Sequence, residues 1–382
     1  MIKQKLKKPH NIFFLLCVLF IMFSCNRKQE RKIISVQELI TDSLLLPVSD
    51  LVISKGGINH IPDNDSLISF FDKNSFNIYL YDIKNNSFID TLSVWKYKDI
   101  IVDYELKTKD TLYALLDINH IVKIATDFEK IYDLNYLLQK EVDSFVFTGR
   151  ISSKFKIFGD TAVVELCTRR KRSDWNGPNK EHLMSNFDIG VKLEDVPKMI
   201  YKHNPNSKDL LVQDYYTFRR RVSISKNEAF YSYSHSNELL HTTFQPFQID
   251  TIKIDTNFFF ENIPLDYQQT SDFGYITRYT MSQSRFGLIF YDVFRKKVVL
   301  FMKHKGEYVE KDGTKNEYGD LPRSMFIIDK ETKEQKEIYI PDKFLGSYYL
   351  SFFTPNGFYI PANKFKQNDK KSVLFYKINI AD

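Results

Sequence analysis

The chain lacks an excess of charge of either sign and lacks the short motifs of common enzyme classes. It has 54 lysines and arginines against 48 aspartates and glutamates, and four of the lysines lie in the first 24 residues. A nearly balanced charge gives no electrostatic basis for binding nucleic acid. The sequence contains no Gly-x-Ser-x-Gly, His-Glu-x-x-His, glycine-rich phosphate loop or Cys-x-x-Cys pair. Such motifs are not required of an active site that is assembled from distant residues.

Cysteine is also scarce, with residues only at positions 17, 25 and 167. Cys17 lies in the apolar run 12–23, which follows four lysines, and Cys25 comes directly after Ser24. This pattern predicts a lipoprotein signal peptide over residues 1–24, with lipid attached to Cys25 as the first mature residue. Twelve apolar residues rise only about 18 Å as a helix, which is too short to span a bilayer. An ordinary secretory signal is the alternative.

The predicted lipid anchor places the protein in the cell envelope, as a palmitate-bearing outer-membrane lipoprotein. Residues 25–46 then form a polar tether and a possible closing strand. Removal of Cys17 and lipidation of Cys25 leave Cys167 alone, which excludes an intrachain disulfide. Because Cys167 follows the apolar stretch 161–166, we expect a buried thiol rather than a nucleophile.

The composition favours β-structure. Phenylalanine and tyrosine number 33 and 23, whereas alanine is scarce. Short apolar runs closed by Asp, Asn, Lys or Gly predict strands at residues 76–82, 88–92, 160–166, 228–233, 287–292, 297–302, 325–329, 337–340, 357–360 and 372–380. A helical period is weak, and occurs only around residues 36–40 and 131–138, which are also compatible with strands and loops.

A weak internal repeat connects these strands. Asp65-Ser66-Leu67, Asp110-Thr111-Leu112 and Asp160-Thr161-Ala162 each open an apolar strand, and Asn227-Glu228-Ala229 and Asn356-Gly357-Phe358 resemble degenerate copies. A period of about 40–50 residues with four short strands per unit is typical of a β-propeller blade. We therefore predict an all-β propeller over residues 47–382, with six or seven blades. Residues 32–36 are expected to close the last blade, and two β-sandwiches are the alternative fold.

Several of these features resemble a known family. The cysteine at the end of the signal, the Asp-Ser/Thr-Leu openers, residues 77–82 and the stretch 285–295 are similar to Bacteroidetes-type lipoproteins with a propeller-like domain of unknown function. The resemblance covers most of residues 47–382. It implies a six-bladed body on the envelope without an assigned reaction, so six blades are favoured and seven stay possible. It also marks three residues as ligand-binding or structural candidates: Tyr291, Asp292 and Arg295.

A second set of candidates lies in the long insertion 167–215 and just after it. Arginine beside aromatic rings suits acidic sugars or phosphates, so we expect partner contacts from Arg170, Arg172, Trp175 and Arg220. A solvated loop and a charged strand edge explain the same residues. His235, Glu238 and His241 match no strong metal template, and Asp63-Asn64-Asp65 is better explained as a turn than as a calcium loop. We therefore predict no metal site and no cofactor.

Two functions fit these observations. The first is a lipid-anchored binding or scaffold propeller that contacts the membrane through its lipid and holds an envelope protein or glycan. The second is a glycan hydrolase or lyase with paired carboxylates in the propeller channel.

Overall fold

The computed structural model describes residues 33–48, 53–98, 100–116, 119–137, 145–147, 155–168, 187–203, 220–234, 236–244, 246–258, 263, 269, 272–317, 319–346, 348–363 and 372–380. Residues 34–382 belong to one compact unit. Its first elements are β1 (Ile34–Ser35), helix α1 (Val36–Leu39) and β2 (Ile40–Leu46).

Six antiparallel sheets follow one another along the chain and form the blades of a propeller. Blades 1 and 2 contain β3 (Ile53–His60), β4 (Leu67–Asp72), β5 (Asn77–Asp82), β6 (Ser87–Ser93), β7 (Ile101–Thr108), β8 (Thr111–Leu116), β9 (His120–Ala125) and β10 (Phe128–Asp133). Blade 3 contains β11 (Phe145–Phe147), β12 (Lys156–Phe158), β13 (Thr161–Thr168), β14 (Phe187–Lys192) and β15 (Lys198–His203). Its innermost position is shared by β11 and β12, which pair with opposite ends of β13.

The other three blades follow the same order. Blade 4 contains β16 (Arg220–Ile224), β17 (Glu228–Tyr233), β18 (Glu238–Phe244) and β19 (Phe247–Lys253). Helix α2 (Phe273–Ser282) then leads to blade 5, with β20 (Arg285–Asp292), β21 (Lys297–Lys303), β22 (Arg323–Asp329) and β23 (Gln335–Ile340). Blade 6 contains β24 (Phe352–Thr354), β25 (Gly357–Pro361) and β26 (Val373–Ile378), with β2 as its fourth strand. The predicted all-β propeller and its six blades are confirmed.

The core of the molecule lies between the blades. Among the described residues there are six buried apolar clusters, one at each boundary between neighbouring blades. The cluster between blades 6 and 1 joins Leu46 and Phe375 to Ile58 and Phe70. A sheet with two apolar faces must be covered on both sides, and the sixth cluster completes the ring.

The amino-terminal segment closes the last blade, but not with the residues that we predicted from the sequence. β2 pairs antiparallel with β26, from Ile40↔Ile378 to Leu46↔Val373. Within the predicted segment 32–36, Ile34 and Ser35 instead form β1, which pairs in parallel with β23 of blade 5 and ends where α1 begins. Ser35 caps α1 reciprocally with Glu38 and so stops β1 after two residues.

The sequence repeat marks one position in the blades. The openers at Asp65, Asp110 and Asp160 stand directly before or at the start of the second strand of blades 1, 2 and 3, and the copies at Asn227 and Asn356 do so in blades 4 and 6. The predicted strands correspond to β5, β6, β13, β17, β20, β21, β22, β23, β25 and β26, with ends that differ by a few residues. Helix α2 was not predicted.

In four tight turns, an aspartate side chain accepts hydrogen bonds from the backbone of the turn. Asp72, Asp82, Asp292 and Asp329 end their strands, and one carboxylate oxygen of each accepts one backbone N–H group of the turn (Asp72) or two (the others). Four residues later the backbone adopts a positive φ of 53° to 61°, at Phe76, Asn86, Lys296 and Lys333. Non-glycine residues rarely adopt this conformation, so the aspartate hydrogen bonds help to stabilise these turns.

Long connections between strands lie on one face of the ring, and most short turns lie on the other. In an antiparallel blade, the turns after the first and third strands lie at one end, and the second-to-third and blade-to-blade connections lie at the other. Apart from residues 148–155 within the split strand, every connection longer than six residues is of the second type: 94–100, 134–144, 169–186, 204–219, 254–284, 304–322, 341–351 and 362–372. We call the face with these connections the long-loop face and the opposite one the short-turn face.

In the part of the chain that the structure describes, no helix has the length and apolarity needed to cross a bilayer.

Candidate functional site

Tyr291, Asp292 and Arg295 lie at the end of β20, on the short-turn face. Asp292 is fully buried, and its Oδ1 accepts the backbone N–H groups of Phe294 and Arg295 at 2.9 and 3.3 Å. Its Oδ2 accepts Nη1 of Arg295 at 2.6 Å. The same guanidinium donates to the carbonyl oxygens of Thr354 and Pro355, in the first turn of blade 6. The Asp292–Arg295 pair therefore fixes its own turn and joins blade 5 to blade 6, and a ligand role for these residues stays a prediction.

Tyr291 points to the other side of blade 5 and joins a polar cluster at the boundary with blade 4. The centre of this cluster is Glu228, the first residue of β17. Its carboxylate lies 2.7 Å from Nε2 of His241 and 2.8 Å from Nζ of Lys330. The ring of Phe230 stacks on His241 at 4.5 Å and lies 4.7 Å from the ring of Tyr291. We call Glu228, His241, Lys330 and Tyr291 the Glu228 cluster.

The carboxyl group of Glu228 is ionised at neutral pH. Burial alone would raise the pKa of the Glu228 carboxyl group, but hydrogen bonds from His241 and Lys330, together with the charge of Lys330, lower it to about 2. Burial raises the pKa of the Tyr291 hydroxyl group, and the nearby charge of Glu228 raises it further. A carboxylate with so low a pKa is a weak general base at neutral pH. The cluster is suited to binding blade 5 to blade 4 rather than to proton transfer.

Polar contacts continue across the boundary between blades 4 and 5. Near the channel, the backbone N–H of Tyr291 donates to Oγ of Ser223 at 2.9 Å. Towards the rim, Lys333 pairs with Asp250 at 2.6 Å, and Nε2 of Gln335 donates to the carbonyl oxygen of Lys253 at 2.7 Å. The two blades are therefore joined from the inner strands to the outer ones.

Two carboxylates on the inner strand of blade 2 bear on the hydrolase alternative. Asp103 and Glu105 are both buried on β7. Asp103 accepts the backbone N–H of Phe155 at 3.0 Å, and Glu105 accepts that of Ile157 at 2.5 Å. Lys156 also lies 3.5 Å from Glu105. These carboxylates replace the strand partner that β12 lacks on its inner edge, so their oxygens serve the blade contact. In the described parts of the chain, no group of three or more His, Cys, Asp or Glu side chains is placed to hold a metal ion.

Several candidates from the sequence cannot be compared with the structure. Cys25, Arg170, Arg172, Trp175 and His235 lie outside the described residues. Arg220 begins β16, where its backbone pairs with Tyr233, and Cys167 lies in β13 opposite Val146.

Sequence reasoning placed Glu228 only as the start of a strand and considered His241 only as a weak metal ligand. The hairpin register brings them near each other, since Glu228 is opposite Thr243 and Phe230 is opposite His241. This pairing of β17 with β18 could have been predicted from the sequence, because the two strands are joined by a short turn. The contact between Lys330 and Glu228 could not have been predicted, because it forms only when blade 5 packs on blade 4.

Comparison with known proteins bears on the fold alone. No family model and no curated protein sequence matches the chain. The structure is similar to the crystal structure of a DUF4221 family member from Bacteroides vulgatus, with a TM-score of 0.67, 14% sequence identity, and coverage of 89% of this chain and 97% of that chain. The fold is a six-bladed β-propeller.

Two more distant structures are a luciferin-regenerating enzyme and the calcium-binding protein regucalcin from Agrobacterium tumefaciens. Their TM-scores are both 0.43, at 10% and 6% identity. The first alignment covers 88% of this chain and 96% of that chain, and the second covers 89% and 94%.

Proposed function

We propose that the protein is a lipid-anchored propeller of the cell envelope that binds an envelope protein or glycan through its long-loop face. The observation that carries this proposal is the sorting of the connections. Where consecutive strands of a blade meet at the short-turn face, six residues or fewer join them, whereas the connections of the opposite face include 169–186, 254–284 and 304–322. Long connections on a rigid scaffold are where binding residues concentrate.

The state of the acidic groups favours binding over hydrolysis. Glycoside hydrolysis needs a proton donor and a second carboxylate that both face the substrate. Asp103 and Glu105 instead accept backbone N–H groups of blade 3. The carboxylate of Glu228 is engaged by His241 and Lys330.

The binding proposal can be tested by shortening one long connection. We would replace residues 169–186 with a four-residue turn between β13 and β14, which removes Arg170, Arg172 and Trp175. The control is Val196→Arg, because Val196 is 61% exposed in the short-turn connection of the same blade. Affinity capture from solubilised envelope is expected to recover a partner with wild type and with Val196→Arg, but not with the shortened protein. Equal capture by all three, or by none, would contradict the proposal.

The anchor is tested separately with Cys25→Ser. We expect wild type to incorporate labelled palmitate and to fractionate with the outer membrane, and the variant to do neither. Cys167→Ser is the matched control and is expected to leave both properties unchanged. Labelling of Cys25→Ser at the wild-type level would refute the lipid attachment.

A further inference from the structure

The direction of strand β1 relates the amino-terminal side of the chain to one face of the propeller. β23 begins directly after a turn on the short-turn face and ends towards the long-loop face. β1 pairs with it in parallel, with Ile34 opposite Ile338 and Ser35 opposite Tyr339. Parallel strands run in the same direction. β1 therefore runs along the outer edge of blade 5 from the short-turn side towards the long-loop side.

The proposed lipid on Cys25 is close to this strand along the chain. Ile34 follows Cys25 by nine residues, and nine residues span at most about 30 Å. A bilayer beside the short-turn face lies in the direction from which β1 comes. A bilayer beside the long-loop face would require the chain to reverse its direction and to pass the connections 254–284 and 304–322 at that end of blade 5. The direction of β1 therefore favours a membrane beside the short-turn face.

Blade 5 carries two adjacent exposed apolar side chains on that face. Val293 and Phe294 lie in the turn between β20 and β21 and are 54% and 45% exposed. We call these two residues the apolar tip. The turn is fixed, because the Asp292 carboxylate accepts the backbone N–H of Phe294 and Arg295 donates to two carbonyl groups of blade 6. A tip that is fixed in this way loses little conformational freedom when it enters an interface.

Three phenylalanines place further apolar surface at the rim of the short-turn face. Phe88, Phe128 and Phe247 are the first or second residues of β6, β10 and β19, directly after the last turn of blades 1, 2 and 4, and they are 46–56% exposed. We call them the rim phenylalanines. Exposed apolar side chains also occur in the long connections, at Trp95, Ile263 and Val309. Single residues of this kind are common on protein surfaces, so the direction of β1 decides between the two faces.

Charge contributes little to the surface around the apolar tip. Lys296 pairs with Glu331 at 3.4 Å, and Lys333 pairs with Asp250 at 2.6 Å. Because these opposite charges offset each other, burial of apolar surface is the main contribution that favours contact with lipid. A weak contact is sufficient, since a lipid on Cys25 would keep the propeller beside the bilayer at a high effective concentration.

We propose that the short-turn face lies against the lipid bilayer, with the apolar tip in the headgroup region and the rim phenylalanines at the membrane surface. The long-loop face then points away from the membrane and is open to an envelope partner. This inference rests on the proposed function for the lipid on Cys25, and it adds the orientation of the propeller and the residues that contact the bilayer.

The test uses the full-length lipidated protein with Cys167→Ser, reconstituted in vesicles of phosphatidylethanolamine and phosphatidylglycerol. One added cysteine carries a fluorescent probe, and the vesicles contain a lipid with a nitroxide quencher near its headgroup. With Phe294→Cys, we expect the nitroxide to lower the emission at least about twofold. Leu45→Cys is the matched control, because Leu45 is 52% exposed at the long-loop end of β2, opposite Leu374. Its emission should fall by less than about a tenth.

The contribution of the apolar tip is measured from a second probe position. A probe at Phe128→Cys reports on the rim and is also expected to be quenched. Addition of Val293→Ser and Phe294→Ser to this variant should lower the quenching at least about twofold, because the face loses apolar contact with the bilayer. Unchanged quenching after the two serine substitutions would contradict the role of the apolar tip.

Equal quenching of the Phe294→Cys and Leu45→Cys probes would overturn the proposed orientation, as would stronger quenching at Leu45→Cys or no quenching of either. The proposed function is tested independently by palmitate labelling and by capture that depends on residues 169–186. If both of these succeed and the Leu45→Cys probe is the one quenched, the proposed function stands and only this inference is lost. Quenching at Phe294→Cys without partner capture would support the orientation and contradict the binding proposal.

Discussion

Glu228 illustrates how contacts between blades set the properties of single residues. Its strand alone gives a half-buried glutamate beside a turn, and blade 5 adds the ammonium group of Lys330. Tyr291 was a candidate from the family resemblance, and His241 was considered as a metal ligand. Their common partner is the Glu228 carboxylate. Its contact with His241 follows from the hairpin of blade 4, whereas its contacts with Tyr291 and Lys330 could not be predicted because they join two blades.

Replacing Glu228 with glutamine should destabilise the protein in a pH-dependent way. The carboxyl pKa is about 2 in the folded protein and 4.5 without these contacts, so its stabilisation is complete above about pH 5 and is lost as the pH falls towards 2. We expect Glu228→Gln to reduce the free energy of unfolding by about 1–2 kcal/mol at pH 7, after allowance for partial exposure. The difference from wild type should shrink as the pH is lowered towards 2.5.

Urea unfolding at a series of pH values measures this difference. Glu331→Gln is the control. Glu331 is 61% exposed in the turn after β22, and its ion pair with the exposed Lys296, at 3.4 Å, is a surface contact that contributes little to stability. It should leave stability nearly unchanged at every pH. A constant difference between Glu228→Gln and wild type from pH 7 to pH 2.5 would show that the carboxylate charge is not responsible.

At the scale of single elements, many strands could be predicted from the sequence, whereas helix α2 could not. Alternating runs and turn residues identified ten strands, and only one of them, β20, is an inner strand; these signals are local. Helix α2 contains Tyr275, Ile276, Thr277 and Tyr279, residue types that favour strands. Its helical state depends on Asp272, which caps its amino end, and on Lys303, which binds its carboxyl end. The broken inner position of blade 3 was also missed, since β11 and β12 have only three residues each.

The aspartate turns differ in what they hold, and substitution should reveal it. Asp292→Ala removes the carboxylate that accepts two backbone N–H groups and that pairs with Arg295, the residue that joins blade 6. We expect a loss of about 3 kcal/mol in the free energy of unfolding. Asp72→Ala removes contacts with Asn74 and Ser75 inside one turn, and should lose about 1 kcal/mol.

Chemical unfolding of the two variants under identical conditions gives the comparison. Equal losses would mean that the link from Arg295 to Thr354 and Pro355 contributes nothing measurable. An unchanged stability of Asp292→Ala would favour the alternative that this stretch serves a ligand.

At the scale of the whole molecule, the ring is closed by strand β2. The repeat predicted a propeller of six or seven blades, because five of the six blades reuse the same local pattern, and the family resemblance favoured six. It could not locate the closing strand, since β1 and β2 are both short extended segments near the amino end and only packing selects between them. β2 shows its burial by alternation: Leu44 and Leu46 face the core between blades 6 and 1, and Leu45 is exposed.

Leu46→Ala should weaken ring closure. Leu46 is completely buried, and removal of three carbon atoms from such a position costs about 2–4 kcal/mol. Leu45→Ala changes the neighbouring residue, which is 52% exposed, and should change stability by less than about 0.5 kcal/mol. Thermal and urea unfolding of both variants measure the contrast, and similar losses would show that the register of β2 with β26 is not the one described.

The two consecutive pairings of the amino-terminal segment have a mechanical consequence. Tension applied to the chain before Ile34 meets β1 first, whose two residues pair with Ile338 and Tyr339. It must then unwind α1 before it reaches the seven residues of β2. A pull from that side therefore first separates β1 from β23 and extends the chain before β2. The pairing of β2 with β26, which closes the ring, stays intact.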